Sequence, residues 1–171
     1  MNIFAVHIIP QIAATYLVDA HCRGKMITES AQILSNCFTL EQLASPDCPR
    51  TQKGTPRKHS YPHHPCCKWV NESRSNMSWV IEHAFALEEE RIYRFESDTP
   101  HFSMAFIKWA KEHRNESLAL QVSRTPFAQA MPPEYKRINW VEAYRKYYAI
   151  GKKHLHQWTK RGAPEWIKDY E

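Results

Sequence analysis

Between Trp69 and Phe95 the apolar residues recur at the helical period over the longest stretch in the chain. Val70, Ser73, Met77, Val80, Ala84, Leu87, Arg91 and Phe95 follow one repeat, with Trp69, Ile81 and Ile92 beside it. The spacing predicts a single helix here, acidic in its far half through Glu82, Glu88, Glu89, Glu90 and Glu96. The same period recurs from Pro10, through Ile12, Ala13, Tyr16, Leu17 and Ala20, until Gly24 breaks it. A second helix is expected over Lys25 to Cys37 and another over Ser103 to His113. The last opens at Asn139, where Asn139 and Glu142 resemble a capping box, and runs to about Trp158.

Two stretches lack the pattern. Pro46 to Lys68 carries five prolines, five Lys or Arg and three histidines against Asp47 alone, and Gln121 to Ile138 carries Pro126, Pro132 and Pro133. Asn2 to Ile9 is a short apolar run that reads as extended. A length of 171 residues suits one domain. The expected fold is therefore mostly α: a single compact domain over 1–171, with about five helices, a short N-terminal extended segment and two Pro-rich loops. The basic Pro/His-rich loop 46–68 lies within that domain.

Composition excludes some classes. Hydrophobic residues at 43% and charged residues at 24% rule out a wholly disordered chain, and four glycines make a phosphate-cradling loop improbable. No nucleotide-binding, serine-hydrolase or zinc-protease motif is present. Five cysteines, an odd number, fit a reducing compartment better than a disulfide framework. Met1 to Val18 carries no Lys, Arg, Asp or Glu, but Asn2, His7, Pro10, Gln11 and Thr15 interrupt it, so neither a signal peptide nor a membrane span is expected. A cytoplasmic location follows.

The formal net charge is +5 and the pI about 9.0, which admits a polyanionic partner. Between Lys136 and Arg161 stand eight cations and one acid, interleaved with Trp140, Tyr144, Tyr147, Tyr148 and Trp158. Phosphates attract cations and unstacked bases lie on flat rings, so DNA is the expected partner. The expected contacts are Arg145, Lys146, Tyr147, Lys152 and Lys153, with Arg57, Lys58 and His64 from the basic loop and Trp69 beside an extruded base.

Lys25, Glu29, Gln32 and Asn36 fall on one face of the second helix, close to Asp19 and His21. Such a face can hold a base edge, a phosphate and a general acid or base. Asp19, His21, Lys25 and Glu29 are the candidate catalytic residues. Asn2, Gln32, Ser73 and Asn76 are candidate pocket residues. His63, His64, Cys66 and Cys67 lack paired chelating spacing, so no metal and no cofactor is expected.

Two resemblances accompany these residues. The closer, over nearly the whole chain, is to small phage-type proteins that begin with a MNIF-like segment. It rests on Met1-Asn2-Ile3-Phe4, Asp19 and His21, Lys25-Met26 with Glu29 and Gln32, and His64-Pro65-Cys66 with Trp69-Val70, Ser73 and Asn76. Thr125-Pro126-Phe127, Ala130-Met131-Pro132, Glu142-Ala143-Tyr144-Arg145 and Pro164-Glu165-Trp166 complete it. The remoter one is to phage pyrimidine-dimer DNA glycosylases of the endonuclease V type. There, Ile12-Ala13, the His64-led middle helix and Arg145-Lys146-Tyr147-Tyr148 with Gly151-Lys152 look similar.

The second resemblance implies N-glycosidic bond cleavage at a damaged or modified pyrimidine in phage or host DNA. It also implies attack by a processed N-terminal amine, assisted by a glutamate at the first helix. The chain departs from that pattern twice. Asn2 is larger than the residues that usually permit removal of Met1, and Arg23 stands nearest the family's glutamate, which leaves Asp19 and Glu29 as the acids. A version without the amine would activate water. A non-enzymatic nucleic-acid-binding protein and an N-glycosidase of free nucleotides are the alternatives.

Overall fold

The computed structural model describes residues 1–119 and 121–170. The fold is mostly α. Its α-helices are α1 (Pro10–Tyr16), α2 (Asp19–Cys22), α3 (Lys25–Leu34), α4 (Leu40–Ala44), α5 (Pro65–Glu72), α6 (Arg74–Phe95), α7 (Met104–Glu112) and α8 (Trp140–Lys146). No strand forms among the described residues, and only an isolated bridge joins Ser73 to Gln121. No helix among them is long and apolar enough to cross a membrane. Helix α6 is the axis of the fold, and α1, α3, α5 and α7 pack around it. One continuous set of buried residues runs from Ile3 to Ile167.

There are more helices than the periodicity predicts because polar side chains interrupt two of the runs. The stretch from Pro10 divides at Leu17 and Val18, both in extended conformation. The guanidinium of Arg94 fills the break, donating to Leu17 O at 2.7 Å and Thr15 O at 2.8 Å. These carbonyls at the end of α1 would otherwise lack partners. The long middle helix divides at Ser73, whose extended backbone starts α6 and whose Oγ accepts from Asn76 N–H at 3.0 Å. Apolar period alone does not register such a cap. Helix α4 starts with a Thr39/Gln42 capping box, a Thr-x-x-Gln signal present in the sequence.

The N-terminal segment is buried from Asn2 to Val6 and exposed at Ile8 and Ile9, and it is not a strand. Asn2 Oδ1 accepts from the N–H groups of Ile3 and Phe4 at 2.8 and 3.1 Å, folding the chain into a turn with Phe4 at φ 40°. Of the basic loop, Pro65–Lys68 is helical and belongs to α5. The rest is irregular yet fastened: His59 Nε2 pairs with Phe38 O at 2.8 Å, and Asn36 Nδ2 donates to Ser60 O at 3.0 Å. The C-terminal helix is also shorter than expected, passing from α8 into a π-helical turn at Tyr147–Gly151.

Arg94 also closes a buried charge network. It pairs with Glu90 at 2.8 Å and Asp19 at 3.3 Å, and Glu90 accepts from Arg161 at 2.6 Å. Burial raises the Glu90 pKa, but the hydrogen bonds from Arg161 and Arg94 outweigh it and hold the carboxyl below its ordinary value. Removing one partner of a buried pair leaves the others uncompensated. Arg94→Leu is therefore expected to cost about 3–5 kcal/mol of stability, read from urea unfolding. A loss under about 1 kcal/mol would place the network among weak surface pairs.

Candidate functional site

Two candidate catalytic acids lie close in sequence, and the fold treats them differently. Asp19 is 2% exposed. Beyond Arg94, its carboxylate accepts from Thr159 N–H at 2.9 and 3.0 Å and from Thr159 Oγ1–H at 2.6 Å. Every contact of the Asp19 carboxylate goes to a fixed donor, so Asp19 fastens the C-terminal segment to α2. Glu29, on α3, is half-buried and turned toward the N-terminal segment. Its Oε2 accepts from Asn2 N–H at 2.8 Å and lies 3.9 Å from the Met1 amino nitrogen.

His64 stands close to this group. It caps α5, its Nδ1 accepting from Cys66 N–H at 3.2 Å. Burial lowers its pKa, the Met1 ammonium lowers it further, and Glu29 opposes both. Asn2 belongs to the same cluster but does not line an open pocket: it is buried, and its Nδ2 donates to Ala130 O at 2.7 Å. Its role is to shape the turn that meets Glu29.

Beside them lies an aromatic stack. His21 stacks on Phe4 at 4.5 Å between ring centroids, and Phe4 stacks in turn on Tyr147 at 6.2 Å. The ammonium of Lys152 sits 5.1 Å from the centre of the Tyr147 ring. Tyr147 reaches this place because Gly151 lacks a side chain: a Cβ there would lie 2.7 Å from the Tyr147 ring. The Tyr148 hydroxyl accepts from Val18 N–H at 2.8 Å and hydrogen-bonds His21 Nδ1 at 2.7 Å. Burial, and then Lys25 and Lys152, push the His21 pKa down to about 3, so its ring is neutral and acts as a fixed aromatic surface. Lys25 is exposed at the start of α3.

Several of the other expected contacts are taken up in the packing of the fold. Trp69 is buried at 1% exposure among Trp79 and Phe127, so it cannot hold an extruded base without unpacking the core. Ser73 and Asn76 are fully buried and serve the α5–α6 junction; Asn76 Nδ2 donates to Trp69 O and to Thr125 Oγ1, both at 2.7 Å. Arg145 is half-buried, its Nε donating to Val6 O at 3.0 Å and its guanidinium facing the Trp166 ring. Lys146 lies beside Arg137, Glu142 and Tyr170. Lys153 and Lys58 are exposed.

A cleft of about 530 Å³ opens on the neighbouring face of α3. It is lined by Thr28 and Gln32 of α3, by Arg57 and Lys58 of the basic loop, and by His101 and Phe102. Gly24 admits His101: its φ is +130°, and a Cβ would lie 2.8 Å from the imidazole. The sequence signalled Arg57, Lys58 and Gln32 but not His101, Phe102, Phe4 or Arg94. None of the four stands out by residue type and spacing, and only the tertiary fold brings them to their partners.

The five cysteines are free and buried. Burial pushes the Cys22 and Cys66 thiols up to about 12 and Cys67 to about 11, so they remain protonated. No group of three His, Cys, Asp or Glu among the described residues is arranged to hold a metal ion. Comparison with known proteins finds no matching family, no matching curated relative and no matching solved structure.

Two buried histidines set an acid limit on stability. Burial takes the pKa of His83, which stacks on Trp79 at 4.7 Å, down to about 3, as it does that of His21. Above pH 6.5 each is neutral whether folded or unfolded. Below it, the unfolded chain binds protons that the native state refuses, so stability falls from pH 6.5 toward pH 3. His83→Phe is expected to flatten that fall by up to about 1.4 kcal/mol per pH unit, measured by urea unfolding across the window. An unchanged slope would mean that His83 takes up its proton in the native state.

Proposed function

We propose that the protein is a DNA N-glycosylase acting on a damaged or modified pyrimidine, with Glu29 as its carboxylate. The observation that carries this reading is the contrast between the two acids. Asp19 is saturated by Arg94 and Thr159, whereas Glu29 accepts one backbone N–H, lies 3.9 Å from the Met1 ammonium and is close enough to His64 to act on its charge. The resemblance to pyrimidine-dimer glycosylases points to the same chemistry; Arg23 stands nearest that family's glutamate, which leaves Glu29 to act in its place.

In the reaction the C1′–N bond breaks and its electron pair leaves with the base. Positive charge develops on the sugar ring, and a fixed carboxylate on that face stabilises it. Water adds its oxygen to C1′, surrendering one proton to Glu29 as general base, and the departing base gains a proton. The products are the free base and an abasic site. The target must leave the helical stack, which places a premium on rings and cations near the acid. Tyr147 supplies a ring, and Lys25, Lys152 and Lys153 supply phosphate contacts.

Single-turnover release of free base from duplexes carrying a thymine dimer, 5-hydroxymethylcytosine or glucosylated cytosine tests the assignment. Plain duplex and the corresponding free nucleotides are the controls. Glu29→Gln, which keeps an acceptor for the Asn2 N–H, is expected to reduce release by at least about 100-fold per folded molecule, with DNA affinity unchanged. Asp19→Asn is expected to act through stability, and its remaining folded fraction to turn over normally. No release from any duplex by the wild-type chain, or equal rates for Glu29→Gln and wild type, contradicts the reading. Borohydride trapping identifies the nucleophile: a covalent protein–DNA adduct means an amine, its absence water.

Replacing Lys25, Lys152 and Lys153 together by Ala is expected to lower the slope of log affinity against log salt by nearly one unit per lost phosphate contact, roughly 0.9 each on duplex DNA. Fluorescence anisotropy reads the slope. An unchanged slope removes these lysines from the DNA interface.

A further inference from the structure

We propose that the cleft over α3 is a nucleotide subsite, taking one nucleoside monophosphate unit of the strand on which Glu29 acts. The inference rests on the glycosylase reading and specifies where the substrate is held. At about 530 Å³ the cleft falls within the range of small-ligand pockets, roughly 300–1,000 Å³.

The charge of the lining favours an anion. It includes Arg57 and Lys58 but no Asp or Glu. Arg57 is already set in place: its Nε donates to Pro49 O at 3.2 Å and its guanidinium lies 4.3 Å from the centre of the Phe106 ring. Its two terminal nitrogens have no partner among the described residues. A guanidinium so oriented can grip phosphate oxygens as a fork, while Lys58 adds a mobile charge.

The lining also supplies a surface for a base. Phe102 is 44% exposed and stacks on no other ring among the described residues. An exposed phenyl group beside cationic side chains is the combination that single nucleotides use, ring on ring and phosphate on cation. His101 beside it is fixed, its Nδ1 accepting from Ser103 N–H at 3.2 Å. Burial, then Arg91, lowers its pKa against the opposing effect of Glu88, which favours a neutral ring.

Helix α3 connects the cleft to the acid. Thr28 and Gln32 are the residue before Glu29 and the one almost a turn after it on α3. A unit bound between Arg57 and Phe102 therefore lies against the helix that carries the carboxylate, with the Gln32 amide available to a base edge.

Amide chemical-shift titration of the full chain with thymidine 5′-monophosphate, thymidine and inorganic phosphate tests the subsite. Saturable shifts are expected at 28–35, 51–60 and 101–103 with the nucleotide, which should bind about tenfold or more tighter than either fragment. Lys58→Ala and Phe102→Ala, both at exposed positions, should each weaken it by about tenfold without changing the unfolding midpoint. No saturable shift in these segments at millimolar nucleotide overturns the proposal. So does phosphate or thymidine binding as tightly as the nucleotide, or wild-type affinity in both variants.

No bond breaks in this titration, so the two readings fail separately. A chain that binds the nucleotide here but releases no base keeps the subsite and loses the glycosylase. A chain whose Lys58→Ala and Phe102→Ala variants release base at the wild-type rate keeps the glycosylase and loses the subsite.

Discussion

A single buried guanidinium joins the parts of this fold that helix packing alone would leave separate. Arg94 lies near the C-terminal end of the central helix and meets the last carbonyls of α1, the first residue of α2 and Glu90 one turn back on α6. Its position forces the break between α1 and α2, because the Thr15 and Leu17 carbonyls satisfy the guanidinium instead of continuing a helix. Asp19 and Glu90 then recruit Thr159 and Arg161, so the C-terminal segment is drawn over the same point. The short α2 that results carries His21 against Phe4 and Tyr148, and Gly24 turns the chain into α3. The direction of α3, and with it the placement of Glu29 and Gln32, follows from this series of contacts.

The sequence carried the helical character of the fold clearly. The runs over Lys25–Leu34 and Met104–Glu112 keep almost the boundaries their apolar spacing implies, since each ends where its buried face ends. Breaks were illegible where a polar side chain replaced backbone pairing, as at Ser73 and at Leu17. Trp69 shows the same difficulty from the other side: a tryptophan beside a basic loop suits both a core and a base, and only its neighbours Trp79 and Phe127 decide.

For the candidate site, local spacing puts Lys25, Glu29 and Gln32 along one side of α3, because i to i+4 and i+7 is a property of the helix itself, but Glu29 turns to Asn2 while Gln32 lines the neighbouring cleft. It could not rank Asp19 against Glu29. That distinction depends on Arg94 and Thr159, distant in sequence, which occupy the first and leave the second to the N-terminal turn. Arg145 was equally ambiguous: one cation among several in sequence, it is drawn inward by the Val6 carbonyl and the Trp166 ring. Lys152 and Lys153 have no such hydrogen bonds among the described residues; Lys152 lies over the Tyr147 ring and Lys153 is exposed.

The central claim is that developing positive charge on a deoxyribose meets Glu29. The most direct measurement is a crystal structure of the protein with a duplex in which one deoxyribose is replaced by a cationic pyrrolidine, whose ring nitrogen stands for the charged sugar of the transition state. The expected result is that nitrogen within hydrogen-bonding distance of a Glu29 carboxylate oxygen, at roughly 2.7–2.9 Å, with the DNA backbone beside Lys25 and Lys152. A duplex bound on another face, or a pyrrolidine seated away from Glu29, would contradict it.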